Sequence, residues 1–459
     1  MNLIRKSWLV TVIIIILIIL IPGQVKEQVS FEVTASMAVI GFASIIGIIR
    51  AYNYAAFSLN LIHWLFFLIF FFVSPVVQVS FGYSPWKIIL DKNNLVQTNE
   101  ILICWIIFYC IGTLFGQKIK LKRPADIELL SIPKLALLCI SFICAFILIN
   151  HVGFRYVFTT RAERMEIVTS YTSSAVSLII DKCTRAAITC VEAIFILAFF
   201  KDSSSWRYLF ANTIVLFLSC FPLAMSRNAL GIIYLGLFAI LYYKNLDRLR
   251  SSPVYVYALL IGVLIIFPML NVFRYYSISN ENLSKAINTT LKNLTTTYLS
   301  VNYDAYAMIA AIRNYVSKYG ATHGRQLLGA MLFFIPRGVW KSKPAGSGSM
   351  VATTRRMSAT NVSCPLPAEG YINFGIIGVV LFAFIIGVIC TCIDRKFWEN
   401  ASDDSSMSFY RIVYPFLLPG YFFVLRGDLM SSWAYLFAYI MTFYLICCFG
   451  QTSVYQKGC

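Results

Sequence analysis

Residues 371–391 read YINFGIIGVVLFAFIIGVICT, a run without a charged side chain. A run of this length can cross the hydrocarbon core of a bilayer as one helix. Comparable apolar runs lie near residues 7–23, 33–49, 57–81, 101–117, 134–152, 173–200, 208–225, 228–243, 254–273, 410–425 and 429–449. The sequence therefore predicts about twelve transmembrane helices.

The composition agrees with this interpretation. Of the 459 residues, 59% are hydrophobic and 13% are charged, which is too apolar for a soluble domain. We therefore predict an all-α, polytopic integral membrane protein. The sequence contains no internal repeat at a fixed period, so we expect a single transmembrane domain over residues 1–459. Most of the thirteen cysteines lie in apolar runs, where Cys behaves as a small hydrophobe, so no disulfide framework is implied.

The positions of Lys and Arg predict the orientation of the chain. With the N-terminus inside, the cytoplasmic loops carry seventeen basic residues, against eight in the short loops of the outer side. Short cytoplasmic loops are enriched in Lys and Arg. We therefore expect both termini to be cytoplasmic.

One long polar stretch, residues 274–370, lacks a membrane span and falls on the outer side. It holds eleven Lys or Arg against three acids, which are Glu281, Asp304 and Glu369. Apolar residues recur at helical spacing from Ala305 to Val316 and again from Leu327 to Ile335. These patterns predict two amphipathic helices on the outer face of the membrane.

Several chemistries lack their motifs in this chain. It has no phosphate-binding loop of the G-x-x-x-x-G-K-[ST] type, no Cys/His metal spacing and no G-x-S-x-G elbow. The outer carboxylates form no D-x-D pair that would hold a divalent metal with a sugar phosphate. We therefore expect chemistry at the outer face without a metal or another cofactor, and no nucleic acid as a partner.

Basic residues close to the ends of the predicted spans or to the predicted amphipathic helices are the strongest positive signal. The set consists of Arg161, Arg227, Arg274, Arg337, Lys343 and Arg426. Guanidinium groups bind phosphate oxygens in pairs and keep their charge, so such a cluster suits a pyrophosphate. The alternative for each residue is a contact between a long basic side chain and lipid headgroups.

Prolines precede three of these arginines, as Pro222 before Arg227, Pro268 before Arg274 and Pro419 before Arg426. Kinks at the prolines would open a cavity with the arginines at its rim. The alternative is that Pro is common in membrane helices, where neighbouring groups satisfy the freed carbonyls.

Three residues of the stretch are candidates for proton transfer or catalysis: Glu369, His323 and Asp304. Glu369 leads into an apolar helix and would deprotonate a hydroxyl, or only stabilise the helix N-terminus. His323 would act as a base or proton shuttle, or be simply solvated. Asp304 precedes a predicted helix, where an N-cap is the alternative role.

Two further features carry alternatives. Asp428 follows Arg426 by two residues and would neutralise it. The segment from Gly346 to Ser349 is interpreted either as a flexible lid over an anion or as a plain linker.

Two motifs resemble a known family. The chain reads Phe334-Ile335-Pro336-Arg337-Gly338-Val339-Trp340-Lys341-Ser342-Lys343-Pro344 and later Glu369-Gly370-Tyr371-Ile372-Asn373-Phe374-Gly375. Together with the polytopic pattern and the long outer stretch, these residues resemble the Wzy-type O-antigen polymerases. Weaker likeness lies at Ser226-Arg227, at Asn302-Tyr303-Asp304 and at Leu425-Arg426-Gly427-Asp428.

The resemblance implies a bacterial inner-membrane glycosyltransferase of the GT-C kind that works at the periplasmic face. Its donor and acceptor would be undecaprenyl-pyrophosphate-linked oligosaccharide units, and transfer would proceed with inversion and without a metal. The basic set would stabilise the pyrophosphate leaving group, and Glu369 or His323 would activate the acceptor hydroxyl. Membrane lipids and a chain-length regulator protein would be its partners.

Two other functions remain open at this point. An O-antigen ligase would use the same donor and transfer the glycan to lipid A core. A lipid-linked oligosaccharide flippase should show repeat symmetry and a charged pathway at the membrane midplane. The sequence places only Asp181, Lys182 and Arg185 inside a predicted span, which disfavours transport.

Overall fold

The computed structural model describes residues 30–121, 132–153, 174–222, 225–270, 279–292, 297–399 and 409–455, and within these ranges it is helical without a strand. Its principal helices are α1 (Phe31–Tyr54), α2 (Leu59–Ser80), α3 (Lys92–Lys118), α4 (Lys134–Val152), α5 (Ser174–Lys201), α6 (Trp206–Ser219), α7 (Arg227–Ser251), α8 (Val254–Met269), α9 (Asn280–Lys292), α10 (Ala305–Tyr319), α11 (Arg325–Met331), α12 (Ser347–Thr354), α13 (Leu366–Glu399), α14 (Phe409–Arg426) and α15 (Leu429–Tyr455).

Eight helices of the described residues are long and apolar enough to cross a membrane, namely α1, α2, α3, α4, α5, α7, α13 and α15. The all-α, polytopic, membrane-embedded class predicted from the sequence is therefore confirmed. Three other predicted spans correspond to helices α6, α8 and α14, which are shorter or less apolar, and α14 contains Pro415 and Pro419. The predicted span at 7–23 lies outside the described residues.

The chain forms two compact units, each made from separate parts of the sequence. Unit 1 comprises Met1–Leu121, Asn293–Arg395 and Tyr421–Ala434. Unit 2 comprises Lys122–Lys292, Lys396–Gly420 and Tyr435–Cys459. The candidate catalytic residues Glu369, His323 and Asp304 all belong to unit 1.

Helix α10 lies in the core of unit 1. Every residue from Ala305 to Ile312 is buried, and the Tyr306 hydroxyl donates to Asn99 Oδ1 of α3 at 2.8 Å. Gln78 of α2 donates to the carbonyl of Tyr303 at 2.9 Å, just before α10 begins. The prediction of a helix here is confirmed, but its placement flat on the membrane face is wrong, because the first half of α10 is enclosed on all sides.

Helix α11 keeps more of the expected amphipathic character. Gln326 and Ala330 are buried, whereas Leu328 and Met331 are 49% and 60% exposed. The helix ends at Met331, earlier than the predicted limit at Ile335. Helix α9, in unit 2, carries exposed Leu283 and Ile287 and was not predicted.

Helix α13 breaks eight residues after its start. Phe374 and Gly375 have non-helical backbone angles, with φ of +62° at Gly375, which glycine tolerates for lack of a Cβ. The backbones of Gly370 and Gly378 meet at this break, since a Cβ on Gly378 would lie 1.9 Å from the Gly370 carbonyl oxygen. The break separates the short segment carrying Glu369 from the longer apolar part of α13.

The apolar part of α13 packs closely on α3 through small residues. A Cβ on Gly112 would lie 2.3 Å from the carbonyl oxygen of Phe384, and one on Gly387 would lie 2.4 Å from that of Tyr109. Gly112 and Gly116 form a G-x-x-x-G pair, the pattern that lets membrane helices approach closely. This pair of glycines is visible in the sequence but was not among the predicted contacts.

Unit 2 contains helices α4, α5 and α6, joined partly by a buried acid. Glu192 of α5 is 4% exposed and accepts hydrogen bonds from Asn212 at 2.7 Å and Thr213 at 2.6 Å, both on α6. Only Asp181, Lys182 and Arg185 were expected as interior charges of this span. Glu192 is a fourth ionisable residue there, so that expectation was incomplete.

We expect Gly112→Ala to destabilise the protein, because the added methyl group meets the rigid backbone of α13 rather than a flexible side chain. Overpacking of this kind costs about 1–3 kcal/mol. The measurement is the thermal unfolding midpoint of the purified protein in detergent. Gly262→Ala in α8 is the matched control, because no atom lies within 4 Å of its added Cβ. Equal midpoints for the two variants would contradict the close α3–α13 contact.

Candidate functional site

The turn between α14 and α15 holds two charged residues that point to different partners. Arg426 ends α14, Gly427 follows, and Asp428 immediately precedes α15. The turn lies wholly in unit 1. Two clusters of polar side chains assemble around it, one on each charged residue.

The first cluster surrounds Asp304, whose side chain is 1% exposed. Arg426 Nη2 lies 3.0 Å from Asp304 Oδ1, and Arg426 Nε donates to the Asn302 carbonyl at 3.1 Å. The Ser363 hydroxyl donates to Oδ1 at 2.7 Å, and the indole nitrogen of Trp86 donates to Oδ2 at 2.7 Å. A buried carboxylate is tolerated when it is paired and hydrogen-bonded in this way.

The second cluster surrounds Glu369, which is 1% exposed in the first turn of α13. The Ser347 hydroxyl donates to Oε2 at 2.7 Å. The backbone amide of Leu429, the first residue of α15, donates to Oε1 at 2.9 Å. Glu369 therefore interacts with the beginning of α15 as well as lying at the start of its own helix, and both positions favour a negative charge.

Asp428 joins the second cluster from the other side. Its carboxylate accepts from the amide of Gly348 at 3.0 Å and from that of Met430 at 3.1 Å. Gly346 makes room for it, since a Cβ there would lie 2.2 Å from Asp428 Oδ2. The amide of Gly348 belongs to the first turn of α12, so two helix N-termini face these two carboxylates.

The electrostatics of this cluster follow from its burial. Burial raises the pKa of Asp428, while the amides of Gly348, Met430 and Ser431 oppose that rise. Burial also raises the pKa of the Cys364 thiol well above its usual value, and the charges of Glu369 and Asp428 raise it further. Two carboxylates in one buried site each disfavour the negative charge of the other.

Arg337 and Lys343 fix the loop between α11 and α12. Arg337 donates to the carbonyl of Lys343 at 2.7 Å and to that of Pro344 at 3.1 Å. Lys343 donates to the carbonyls of Phe333 at 2.6 Å and Ile335 at 2.9 Å. Burial lowers the pKa of Lys343, and the neighbouring Arg337 lowers it further. Arg337 is exposed, and a guanidinium has five N–H donors, so it retains donors for an anion.

His323 is exposed in the short turn between α10 and α11. The amides flanking it, Thr322 and Gly324, donate to the carbonyls of Ile372 at 2.8 Å and Asn373 at 3.3 Å. These bonds hold His323 beside the α13 turn that follows Glu369. His323 has a φ of +49°, a left-handed conformation that is uncommon for a residue with a Cβ.

The structure brings only part of the predicted site together. Glu369 and Asp428 belong to one cluster, Arg426 pairs with Asp304, and Arg337 and Lys343 bond within their own loop. Arg227 begins α7 in unit 2. Arg161 and Arg274 lie outside the described residues.

Several smaller predictions change. Asp304 makes no side-chain cap to α10, because its oxygens are used by Arg426, Ser363 and Trp86. Asp428 does not neutralise Arg426 but bonds to backbone amides. The Gly346–Ser349 segment is the start of α12 rather than a lid or linker. Pro222 lies beyond the end of α6 at Ser219, so it does not kink that helix.

Residues 297–370 hide their acids and expose many of their bases, whereas Glu281, the third acid of the stretch 274–370, is exposed in α9. Within the described residues 297–370 the acids are Asp304 and Glu369, and both are buried. The exposed cations of the same range are Lys318, Arg325, Arg337, Lys341, Arg355 and Arg356. The surface of this range therefore carries positive charge without an exposed carboxylate.

Sequence reasoning missed the groups that hold the acids in place. Trp86, Ser347, Ser363 and Cys364 carry no recognisable motif, and Trp86 is more than two hundred residues from Asp304. The sequence signal available for Ser347 was the pair of small residues around it, Gly346 and Gly348, which permit close approach of backbone to a carboxylate. Among the described residues, no group of three or more His, Cys, Asp or Glu could hold a metal ion.

We expect Asp304→Asn to destabilise unit 1, because it leaves the Arg426 guanidinium without its charged partner. Breaking a buried ion pair by changing one member costs about 3–5 kcal/mol. Thermal unfolding of the purified protein measures the effect. Glu32→Gln is the control, because the Lys92–Glu32 pair is 55% and 64% exposed and such pairs contribute about 0–1 kcal/mol. A loss no larger than that of Glu32→Gln would contradict the structural role of Asp304.

The raised pKa of Asp428 predicts a pH effect on stability. In the folded protein Asp428 holds its proton to higher pH than in the unfolded chain, where its pKa is about 3.9. Between these two values the folded state binds more protons, so its stability falls as pH rises. Unfolding midpoints measured from about pH 4 upward should fall less steeply in Asp428→Asn than in the wild type. An identical pH slope would show that Asp428 titrates normally.

The chain matches no protein-family model, no curated protein and no solved structure. The functional hypothesis therefore depends on the two motifs of the sequence and on the chemistry of the buried acids and exposed bases around them.

Proposed function

We propose that the chain is an O-antigen polymerase. It transfers a growing glycan from its undecaprenyl pyrophosphate onto a new lipid-linked repeat unit, with inversion and without a metal. The proposal places it in a bacterial inner membrane, with about twelve spans of the GT-C kind, both termini in the cytoplasm and residues 274–370 in the periplasm. A chain-length regulator protein is a proposed partner.

The main support for the proposal is the separation of buried acids from exposed bases in residues 297–370. Both acids of this range are buried, while six of its cations are exposed. A protein that handles lipid-linked pyrophosphates needs such a cationic surface next to the bilayer. Because the acids face inward, an approaching anion meets no exposed carboxylate in this range.

Arg337 is the best-placed contact for the pyrophosphate. Its guanidinium is anchored by two carbonyls of its own loop, so the side chain is held in one orientation before an anion arrives. Ordering costs little on binding when a side chain is already fixed. Lys343 stabilises the same loop by bonding to Phe333 and Ile335, and it adds positive charge beside Arg337.

Exposure separates the two candidates for proton transfer. His323 is exposed and held beside the turn after Glu369, so an acceptor hydroxyl can reach it without rearrangement. Glu369 is enclosed by Ser347 and Leu429 and reaches a substrate only if α12 moves. In our proposal His323 accepts the proton, and Glu369 with Asp428 positions the starts of α12 and α15.

Asp304 and Arg426 have a positioning role in this proposal. Their ion pair fixes the turn before α15 to the start of α10, and Asp428 extends from that same turn towards Glu369. Arg426 is therefore assigned to the protein interior rather than to the pyrophosphate. Arg161, Arg227 and Arg274 remain proposed anion contacts.

We expect Arg337→Ala to abolish the long lipopolysaccharide ladder when it replaces the wild type in a deletion strain. Lipid A core carrying a single repeat should remain, because ligation does not require polymerisation. Lys285→Ala is the matched control, because Lys285 is an exposed cation of the stretch 274–370 that lies outside the cationic range 297–370. Loss of every attached repeat would indicate a ligase, and a normal ladder would exclude Arg337 from the site.

We expect His323→Ala to reduce the rate of elongation by about 10² to 10⁴, the usual contribution of a general base. Purified protein and lipid-linked repeat units provide the assay. Glu369→Gln should also slow elongation, but its effect should be accompanied by a lower unfolding midpoint. If His323→Ala is fully active and Glu369→Gln is inactive yet equally stable, Glu369 is the base instead.

A further inference from the structure

Three charged residues of helix α5 lie close together near the start of one of the candidate membrane spans. Asp181, Lys182 and Arg185 lie in the span Ile179–Lys201. Asp181 pairs with Lys182 at 2.8 Å and with Arg185 at 2.8 Å. Ionisable residues inside membrane helices are costly and usually mark a functional site. This cluster is not used by the proposed chemistry of unit 1.

The cluster contains two cations and one carboxylate. Asp181 accepts a hydrogen bond from each cation, which satisfies its two oxygens. An ammonium group has three N–H donors, and Lys182 gives one of them to Asp181. Its nitrogen also lies 4.3 Å from the centre of the Tyr435 ring, an arrangement that stabilises a cation without neutralising it.

Two hydroxyl groups beside the cluster lack hydrogen-bond partners among the described residues. They belong to Ser219 and Tyr439, which are 4% and 1% exposed. Arg185 donates to the carbonyl of Ser219, and Tyr439 lies within electrostatic range of Arg185 and Asp181. All of these residues belong to unit 2. A buried hydroxyl without a partner costs free energy, so a polar ligand would relieve two such penalties.

The chemistry of these groups selects an anion with several oxygen atoms. Lysine and arginine donate charge-assisted hydrogen bonds, and the two hydroxyls can donate as well. A phosphate group offers enough acceptors for all of them. Because α5 and α15 are both candidate membrane spans, a phosphate carried by a lipid can reach the cluster from within the bilayer.

We propose that Lys182 and Arg185, with the hydroxyls of Tyr439 and Ser219, bind the diphosphate of a lipid-linked substrate in unit 2. This inference rests on the proposed function, because a polymerase must hold two lipid diphosphates, one on the donor and one on the acceptor. It adds a binding site in the membrane-spanning part of the protein, apart from the cationic surface of residues 297–370.

Binding of undecaprenyl pyrophosphate to the purified full-length protein in nanodiscs tests the site. Lys182→Met should weaken binding at least about tenfold, the loss expected for one hydrogen bond to a charged group. Asp181 keeps Arg185 in this variant, so no carboxylate is left unpaired. Lys182→Arg should restore most of the affinity. Tyr439→Phe should weaken binding by a smaller factor, because it removes a neutral donor.

Lys201→Met is the matched control, since Lys201 is an exposed lysine at the end of the same helix. It should bind the lipid as the wild type does. Unchanged affinity in Lys182→Met, with an unchanged unfolding midpoint, would overturn the site. Inorganic pyrophosphate is the second probe, and it should bind more weakly than the lipid. If pyrophosphate binds as tightly as the lipid, and Lys182→Met loses pyrophosphate binding too, the lipid assignment is overturned.

An elongation assay on the same preparations separates this inference from the proposed function. If the wild type elongates and Lys182→Met binds the lipid as tightly as the wild type does, the site is rejected and the polymerase is retained. If Lys182→Met weakens lipid binding but the wild type does not elongate, the lipid-diphosphate site is retained and the polymerase is rejected.

Discussion

Burial of three carboxylates constrains how the helices of unit 1 meet. Asp304, Glu369 and Asp428 come from distant parts of the chain, and each needs donors where water is scarce. Arg426 supplies an ion pair for Asp304, and backbone amides at the starts of α12 and α15 supply hydrogen bonds for the other two. The short turn from Arg426 to Asp428 connects the two groups, so moving that turn would disturb all three acids.

This constraint also determines the surface that a substrate meets. The acids of residues 297–370 are buried, whereas most of the bases are exposed. The surface of this range is therefore more cationic than its sequence suggests. Net charge alone is weak evidence in a long loop that is exempt from the usual charge bias. The separation of buried acids from exposed bases is a stronger argument for an anionic ligand.

The apolar pattern was sufficient to predict the membrane helices, because spans such as 371–391 are uninterrupted and their length is set by the bilayer. Burial of α10 was not predictable, since apolar residues at helical spacing suggested an amphipathic surface helix. Only the structure shows that Tyr306 and Arg313 bond to Asn99 and Asn94 of α3 and so bury that face. A sequence pattern reports a helix well but does not identify what covers it.

For the candidate site, the sequence predicted some of the residues but not the contacts between them. Glu369, Asp304 and Arg337 were singled out because they stand near prolines or helix starts, which are local features. Glu369 contacts the start of α15 rather than Arg337 through a hydrogen bond from Leu429, a residue 60 positions away in the sequence, and no local pattern encodes such a contact. The glycines of α12 and the G-x-x-x-G pair of α3 were visible in the sequence but have meaning only where another backbone approaches.

The most direct measurement uses the purified protein alone, reconstituted in liposomes with undecaprenyl-pyrophosphate-linked repeat units as both donor and acceptor. The account predicts lipid-linked products with two, three and more repeats, formed in the presence of a metal chelator. Units that remain single in the absence of lipid A core, or that only move across the membrane, would contradict it.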